Sequence, residues 1–253
     1  MNRQISVLLF FLFVLSSCAE LQQMATQVAN QSAVGGLTNQ NAAGLKEALS
    51  VGIANSVTRL SKTDGYLGNQ ALKILLPAEA RTISDNLKYV PGGDKLMNDV
   101  IVRLNRAAED AASEAKPIFV SAIRNMTISD ATSILFGDKN AATSYLRKST
   151  LSQLTAAFTP KIEASLDKKL VGNISTTQSW NALTTAYNKA ANSMVGQVAR
   201  LKPVNTNLSE YVTQRALDGL FLSLANEEKL IRENPSARVN VLLQKVFGQL
   251  DKK

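Results

Sequence analysis

From Gly44 onward the apolar residues recur every three or four positions almost without a break. That is the spacing of one face of an α-helix, not the alternation of a half-buried strand. Leu45, Leu49, Ile53, Val57 and Leu60 form the first stripe. Pro77 suits the first turn of a helix carrying Ala80, Ile83 and Leu87, which ends at Pro91-Gly92-Gly93. Leu96, Val100, Leu104, Ala107, Ala111 and Ala115 run on to Pro117, and the small alanines would let a neighbouring helix come close. Ile118 to Met126 is a short successor. Trp180, Leu183, Tyr187, Ala191, Met194, Val198 and Leu201 make one long stripe, Leu208 to Ile231 follow, and Val239, Leu242, Leu243, Val246 and Leu250 finish the chain.

Several starts carry a side chain able to accept from the free N–H groups of a first turn. Thr127 with Asp130 has capping-box spacing ahead of Ile128 to Phe136, and Gly137 closes that segment. Ser175 with Gln178 and Asn207 with Glu210 repeat the device, and Asn234-Pro235 sets a cap beside a proline. Asp64-Gly65 and Asp218-Gly219 lie in helical or capping contexts rather than between alternating runs. Val239 to Leu243 reads with period two, but Pro235 and the wider spacing favour helix. The expectation is an all-α, compact multi-helix bundle of roughly nine or ten helices with no significant sheet. It spans residues 42–250, with a weak seam near Gly137.

The N-terminus is of another kind. A short cationic start, Met1 to Arg3, precedes a run from Ile5 to Leu15 that is apolar apart from Ser6. As helix this run rises about 16 Å, against a hydrocarbon core of about 30 Å. It reads as an export signal over residues 1–17 rather than a membrane span. Leu15-Ser16-Ser17-Cys18 looks like a bacterial lipobox. That resemblance implies that Cys18 carries a thioether-linked diacylglycerol and becomes the mature N-terminus, with palmitate-type acylation. Ala19 after the cysteine, in place of aspartate, implies by analogy the outer membrane, facing the periplasm. Residues 18–41 hold one charged residue, Glu20, and read as a lipidated flexible tether.

The chain has no histidine and one cysteine, which excludes a Ser–His–Asp triad, a Cys–His pair, a histidine-ligated metal and an internal disulfide. No phosphate-cradling glycine loop is present, so no cofactor is expected. Lys and Arg total 28 against 20 Asp and Glu, a formal +8. On an exported protein such charge points to an anionic envelope polymer or lipid head groups, or simply to a basic surface, rather than to nucleic acid.

The chain resembles the bacterial domain of unknown function 4197 family over residues 44–248. The resemblance rests on Gly44-Leu-Lys-Glu-Ala-Leu49, Met126-Thr-Ile-Ser-Asp-Ala-Thr-Ser-Ile-Leu135 and Tyr211-Val-Thr-Gln-Arg-Ala-Leu-Asp-Gly-Leu-Phe221. The most specific stretch is Glu227-Glu-Lys-Leu-Ile-Arg-Glu-Asn-Pro-Ser-Ala-Arg238 with Leu242 to Gly248. It implies no activity and no catalytic residues.

Few residues suggest chemistry. Ser165-Leu166-Asp167-Lys168 and Ser179-Trp180-Asn181 imitate two elements of the penicillin-binding set, but no K-T-G follows them. Glu47 or Glu109 would serve a helical cell-wall hydrolase that relies on a single glutamate. Adjacent acids such as Glu109-Asp110 and Glu227-Glu228 diverge by about 100° on a helix. They are explained more simply by pairs one turn away: Arg106 with Asp110, Glu228 with Arg232, and Arg215 with Asp218. Asp218 would need such a partner if buried. Arg232 and Arg238 bracket Asn234-Pro235, where they would contact an anion or partner, or serve as caps. Trp180, Phe119, Phe136, Phe158, Phe221 and Phe247 have the spacing of core aromatics, with a lipid pocket as the alternative. The combined expectation is an envelope lipoprotein that binds an envelope protein or polymer as an adaptor or structural element. The alternatives are a carboxylate-dependent hydrolase and an amphiphile carrier.

Overall fold

A computed structural model describes residues 17–77, 93–171, 174–204, 207–238 and 240–252. Among them are nine α-helices: α1 (Ser17–Leu60), α2 (Gly93–Ala112), α3 (Ala115–Asn125), α4 (Ile128–Leu135), α5 (Ala141–Leu166), α6 (Thr176–Ala191), α7 (Met194–Val198), α8 (Leu208–Glu233) and α9 (Val241–Phe247). Two 3-10 turns, Pro235–Ala237 and Leu250–Lys252, flank α9. The strands β1 (Lys169–Val171) and β2 (Ile174–Ser175) form a small antiparallel ribbon between α5 and α6. The protein is therefore all-α. No described helix is long and apolar enough to cross a membrane.

Helices α5 and α8 form the centre. Along α5 every fourth residue is buried: Leu146, Thr150, Leu154, Phe158, Ile162 and Leu166. A step of four advances by about 40° around a helix, so this stripe winds, and α5 meets α8, α2, α3 and α4 on successive sides. The alanine end of the α2 stripe is buried throughout at Ala107, Ala108, Ala111 and Ala112, which brings α2 close to α5. One apolar cluster joins Leu60, Leu104, Phe119, Phe158 and Leu220, with Phe119 and Phe221 edge to face at 5.9 Å between centroids. A second joins Leu45 of α1, Leu135 of α4, and Leu243 and Phe247 of α9.

The caps follow the spacing in the sequence. Thr127 with Asp130 and Ser175 with Gln178 are complete capping boxes, and the Asn207 side chain accepts from the Glu210 N–H at 3.0 Å. Asn234 caps only the 3-10 turn; the last helix starts later, with the Asn240 side chain accepting from the Leu243 N–H at 2.8 Å.

Several expectations of helix extent differ from the structure; the stripe read from Leu96 to Pro117 breaks after Ala112, and Ala115 and Pro117 belong to α3. Residues 18–41, read as a flexible tether, are helical in backbone as part of α1. The packed half of α1 supplies the costly nucleus, and outward growth then needs only one hydrogen bond per added residue. The long Trp180–Leu201 stripe is broken after Ala191, where the Ser193 hydroxyl accepts from the Gly196 N–H (3.2 Å) and starts a new helix. Met194 and Val198 consequently face solvent. Phe136, read with the core aromatics, is 53% exposed because it lies in the link after α4. The helix expected from Pro77 to Leu87, together with its Pro91-Gly92-Gly93 stop, and Val239 lie outside the described residues.

One close approach fixes how the segment after α1 meets α8. A Cβ on Gly219 would stand 2.8 Å from Cε1 of Tyr66, a ring with no exposed surface. Gly219→Ala is expected to destabilise the fold by about 1–3 kcal/mol, seen as a lower urea midpoint with an unchanged slope.

Candidate functional site

Of three buried carboxylates among the described residues, Glu227 pairs with Arg59 at 2.9 Å and the other two organise the polar interior. The first is Glu109 on α2. After α1 the chain crosses α2 and α8 as an irregular strap, residues 61–77, whose backbone polar groups need partners. Glu109 Oε1 accepts from the N–H groups of Tyr66 (3.1 Å) and Leu67 (3.2 Å), and its Oε2 accepts from Arg106 (2.5 Å). Arg106 also donates to Asp64 at 2.7 Å. Asp64 has φ 66°, the left-handed region that an aspartate tolerates better than most residues. Further along, Asn105 accepts from the Ile74 N–H and donates to the Ile74 carbonyl, both at 2.8 Å, as a neighbouring strand would. The Tyr66 hydroxyl donates to the Ala216 carbonyl of α8 (2.8 Å), and Tyr211 donates to that of Leu75 (3.0 Å). Burial, reinforced by the Glu109 charge, raises the Tyr66 phenol far above its usual range, so it stays a neutral donor.

The second carboxylate is Glu228 on α8. Its oxygens accept from the N–H groups of Ala142 (3.0 Å) and Thr143 (2.8 Å), from the Thr143 hydroxyl (2.8 Å) and from Arg232 Nε (3.0 Å). Arg232 also donates to the carbonyls of Leu135 (3.0 Å) and Ile134 (2.8 Å). One turn of α8 therefore places a negative group on the N-terminus of α5 and a positive group on the C-terminus of α4, each the sign that the helix dipole favours. The pair bridges the link that contains Gly137. Beside it lies a cavity of about 30 Å³, walled mainly by apolar side chains including Leu45, Leu49, Ile53, Leu146 and Phe247. That is room for about one water.

Arg238 closes the far end of α8. Its guanidinium is 2% exposed in the side chain, donates to the carbonyls of Ile231 (3.0 Å) and Arg232 (2.9 Å), and forks onto both oxygens of Asp251 (2.5 and 2.8 Å). This hydrogen-bonded guanidinium holds the Asp251 carboxyl below the usual carboxylate range.

The residues singled out in the sequence fall as follows. Glu228 and Arg232 are brought together, and both arginines read as anion or partner contacts hold internal carboxylates and carbonyls, which are their caps. Asp218 is half-exposed; its close partner is Arg147 of α5 at 2.7 Å, with Arg215 at 4.0 Å. Arg147 in turn stacks 5.0 Å over the Phe221 ring. Arg106 pairs with Glu109 rather than Asp110, because the inward turn of α2 carries 105 and 109. Ser165 and Lys168 of the S-x-x-K match both reach Asp110, at 3.0 and 3.6 Å. Glu109, the candidate acid, has its oxygens turned to the strap, and Glu47 is exposed on α1. Cys18 lies in the first turn of α1, and residues 1–16 lie outside the described residues. Among the described residues no group of three or more His, Cys, Asp or Glu is placed to hold a metal ion. Asn105, Tyr66 and Asp251 had no local signal in the sequence, because each partner is remote from its neighbours along the chain.

A family model described as a protein of unknown function (DUF4197) matches residues 36–248. The chain belongs to that family. Comparison with curated proteins and with solved structures gives no match. In this DUF4197 chain the matched region begins within α1 and ends just past α9, so it contains the strap, both carboxylates and Arg238.

Glu228→Ala leaves a buried guanidinium and two helix-end N–H groups without their acceptor. It is expected to cost about 3–5 kcal/mol. The double variant Glu228→Ala/Arg232→Met is expected to cost clearly less than the two single changes summed, and urea titration of the four proteins measures the coupling. Because the Asp251 carboxyl is lowered in the folded state, its contribution is complete above the ordinary carboxylate pKa of about 3.9. It fades as pH falls through the lower folded value. The gap in urea midpoint between the parent and Asp251→Asn should stay constant from neutral pH to about pH 5 and close in stronger acid.

Proposed function

We propose that this protein is a bacterial envelope lipoprotein, held in a membrane through acylated Cys18, whose helical body acts by binding, as an adaptor or structural element. The observation that carries the reading is Leu15-Ser16-Ser17-Cys18, where the chain's one thiol follows a cationic start and an apolar run. Two or more acyl chains on that cysteine make anchoring stable where one alone is marginal. Ala19 favours the outer membrane, with the body facing the periplasm.

The interior supports binding over the alternatives. A hydrolase needs a carboxylate turned toward a substrate; of the two acids considered for that role, Glu109 is turned to three protein donors, and Glu47 is exposed on α1. An amphiphile carrier needs a pocket of about 300 Å³ or more. The space beside Glu228 is about 30 Å³.

Cys18→Ala is expected to move the protein out of the membrane fraction and to abolish labelling by radioactive palmitate. Membrane fractionation and labelling unchanged in that variant would refute the anchor. Cross-linking in intact cells is expected to capture a defined envelope partner, whereas turnover of purified peptidoglycan that is lost on changing one Glu would support the hydrolase instead.

A further inference from the structure

Among the described residues, the stretch through α6 and α7 carries charge of one sign only and ends in an exposed apolar tip. Between Asp167 and Glu210 there is no acidic residue, yet Lys168, Lys169, Lys189, Arg200 and Lys202 all fall there. Lys168, at the base, reaches Asp110. Lys189, Arg200 and Lys202 are exposed, and none forms an ion pair among the described residues. At the end of this arm stands α7, whose Met194, Val195 and Val198 are 83, 79 and 81% exposed. Positions 194, 195 and 198 share one helix face, so three aliphatic side chains form a single apolar tip.

The tip is held in this pose. Ser193 caps its start, and Gly196 is pressed so closely on the end of α6 that a Cβ there would lie 2.2 Å from the Ala190 carbonyl. At its C-terminus the Leu201 N–H bonds to the Gly196 carbonyl (2.9 Å) and the Arg200 N–H to that of Gln197 (3.0 Å). Arg200 takes φ 56°, the left-handed position that glycine usually fills in such a cap. The backbone thus turns α7 so that its one buried residue is the glycine and its aliphatic residues face outward.

We propose that the α6–α7 arm is a second membrane contact, in which Met194, Val195 and Val198 enter the interface of an anionic bilayer while Arg200, Lys202 and Lys189 meet its head groups. An exposed apolar tip flanked along the chain by exposed cations, in a stretch with no acidic residue between Asp167 and Glu210, fits a bilayer, which offers hydrocarbon just beneath a layer of negative charge. The inference rests on the reading of the chain as membrane-facing. It would give the body a fixed orientation on the surface instead of a single swivelling attachment.

The test uses the full chain with Cys18→Ser, so that it can fail or succeed independently of the acyl anchor. Val195→Cys in that background is labelled with an environment-sensitive fluorophore, and Val241→Cys, exposed on α9, is labelled as the control. On vesicles containing phosphatidylglycerol the label at 195 is expected to shift to the blue and the label at 241 to stay in water. Pure phosphatidylcholine vesicles are expected to give no shift at either site. Arg200→Ala/Lys202→Ala should weaken binding to the anionic vesicles about thirtyfold. The proposal is overturned if the label at 195 stays in water or if both labels shift alike. It is equally overturned if neutral vesicles serve as well, or if the label is already shielded without vesicles because a second copy covers it.

Discussion

A carboxylate taken out of water is tolerated only where its oxygens find donors, and that requirement organises this bundle around α8. Glu228 meets it with the first N–H groups of α5, and Arg232, one turn later, answers the last carbonyls of α4. Two helix ends, each with backbone groups left unpaired, need partners wherever two helices are joined by a short link. Here two side chains of a third helix supply them, so the α4–α5 corner, the position of α8 and the seating of α1 against their shared cavity are set together. Glu109 does the same for a segment that is not helical, giving acceptors to the strap that no ladder would otherwise satisfy.

This arrangement separates the chemistry of the interior from that of the surface. Of the acids and arginines that looked reactive in the sequence, Glu109, Glu228, Arg232 and Arg238 are turned inward and matched, while Glu47 and Asp218 stay at the surface. On the surface, the arm from α6 to α7 brings charge of one sign and exposed apolar residues together. An anchored protein that works by contact is consistent with that division, since contact needs a firm scaffold and an accessible edge.

How far the fold could be read from the sequence varied with the geometry of each helix. The stripes on α1 and α2 each keep to one side, and their spacing was visible at once. The caps at Thr127, Ser175 and Asn207 were equally plain, because a capping box is a local bond between residues three apart. Helix α5 was not visible in this way: its buried residues step by four and wind around the axis, so no single face is apolar. The break between α6 and α7 was missed because Met194 and Val198 continue the apolar rhythm of α6 while Gly196 turns them outward. Of the candidate site, the Glu228–Arg232 pair was legible as neighbours on one helix. Arg147, Asn105 and Asp251 were not, since each meets a partner brought near only by folding.

Helical period, turn chemistry and the absence of histidine were determined by the order of residues alone. They act over a few positions, and they decided the all-α class, most helix starts and the kinds of catalysis the chain lacks the groups to perform. The apolar run and lone thiol at the start are likewise properties of a short stretch. Tertiary structure decided which charges are matched inside and that Asp218 answers to Arg147. Those outcomes depend on distances between segments far apart in the chain, and only packing around α5 and α8 fixes them.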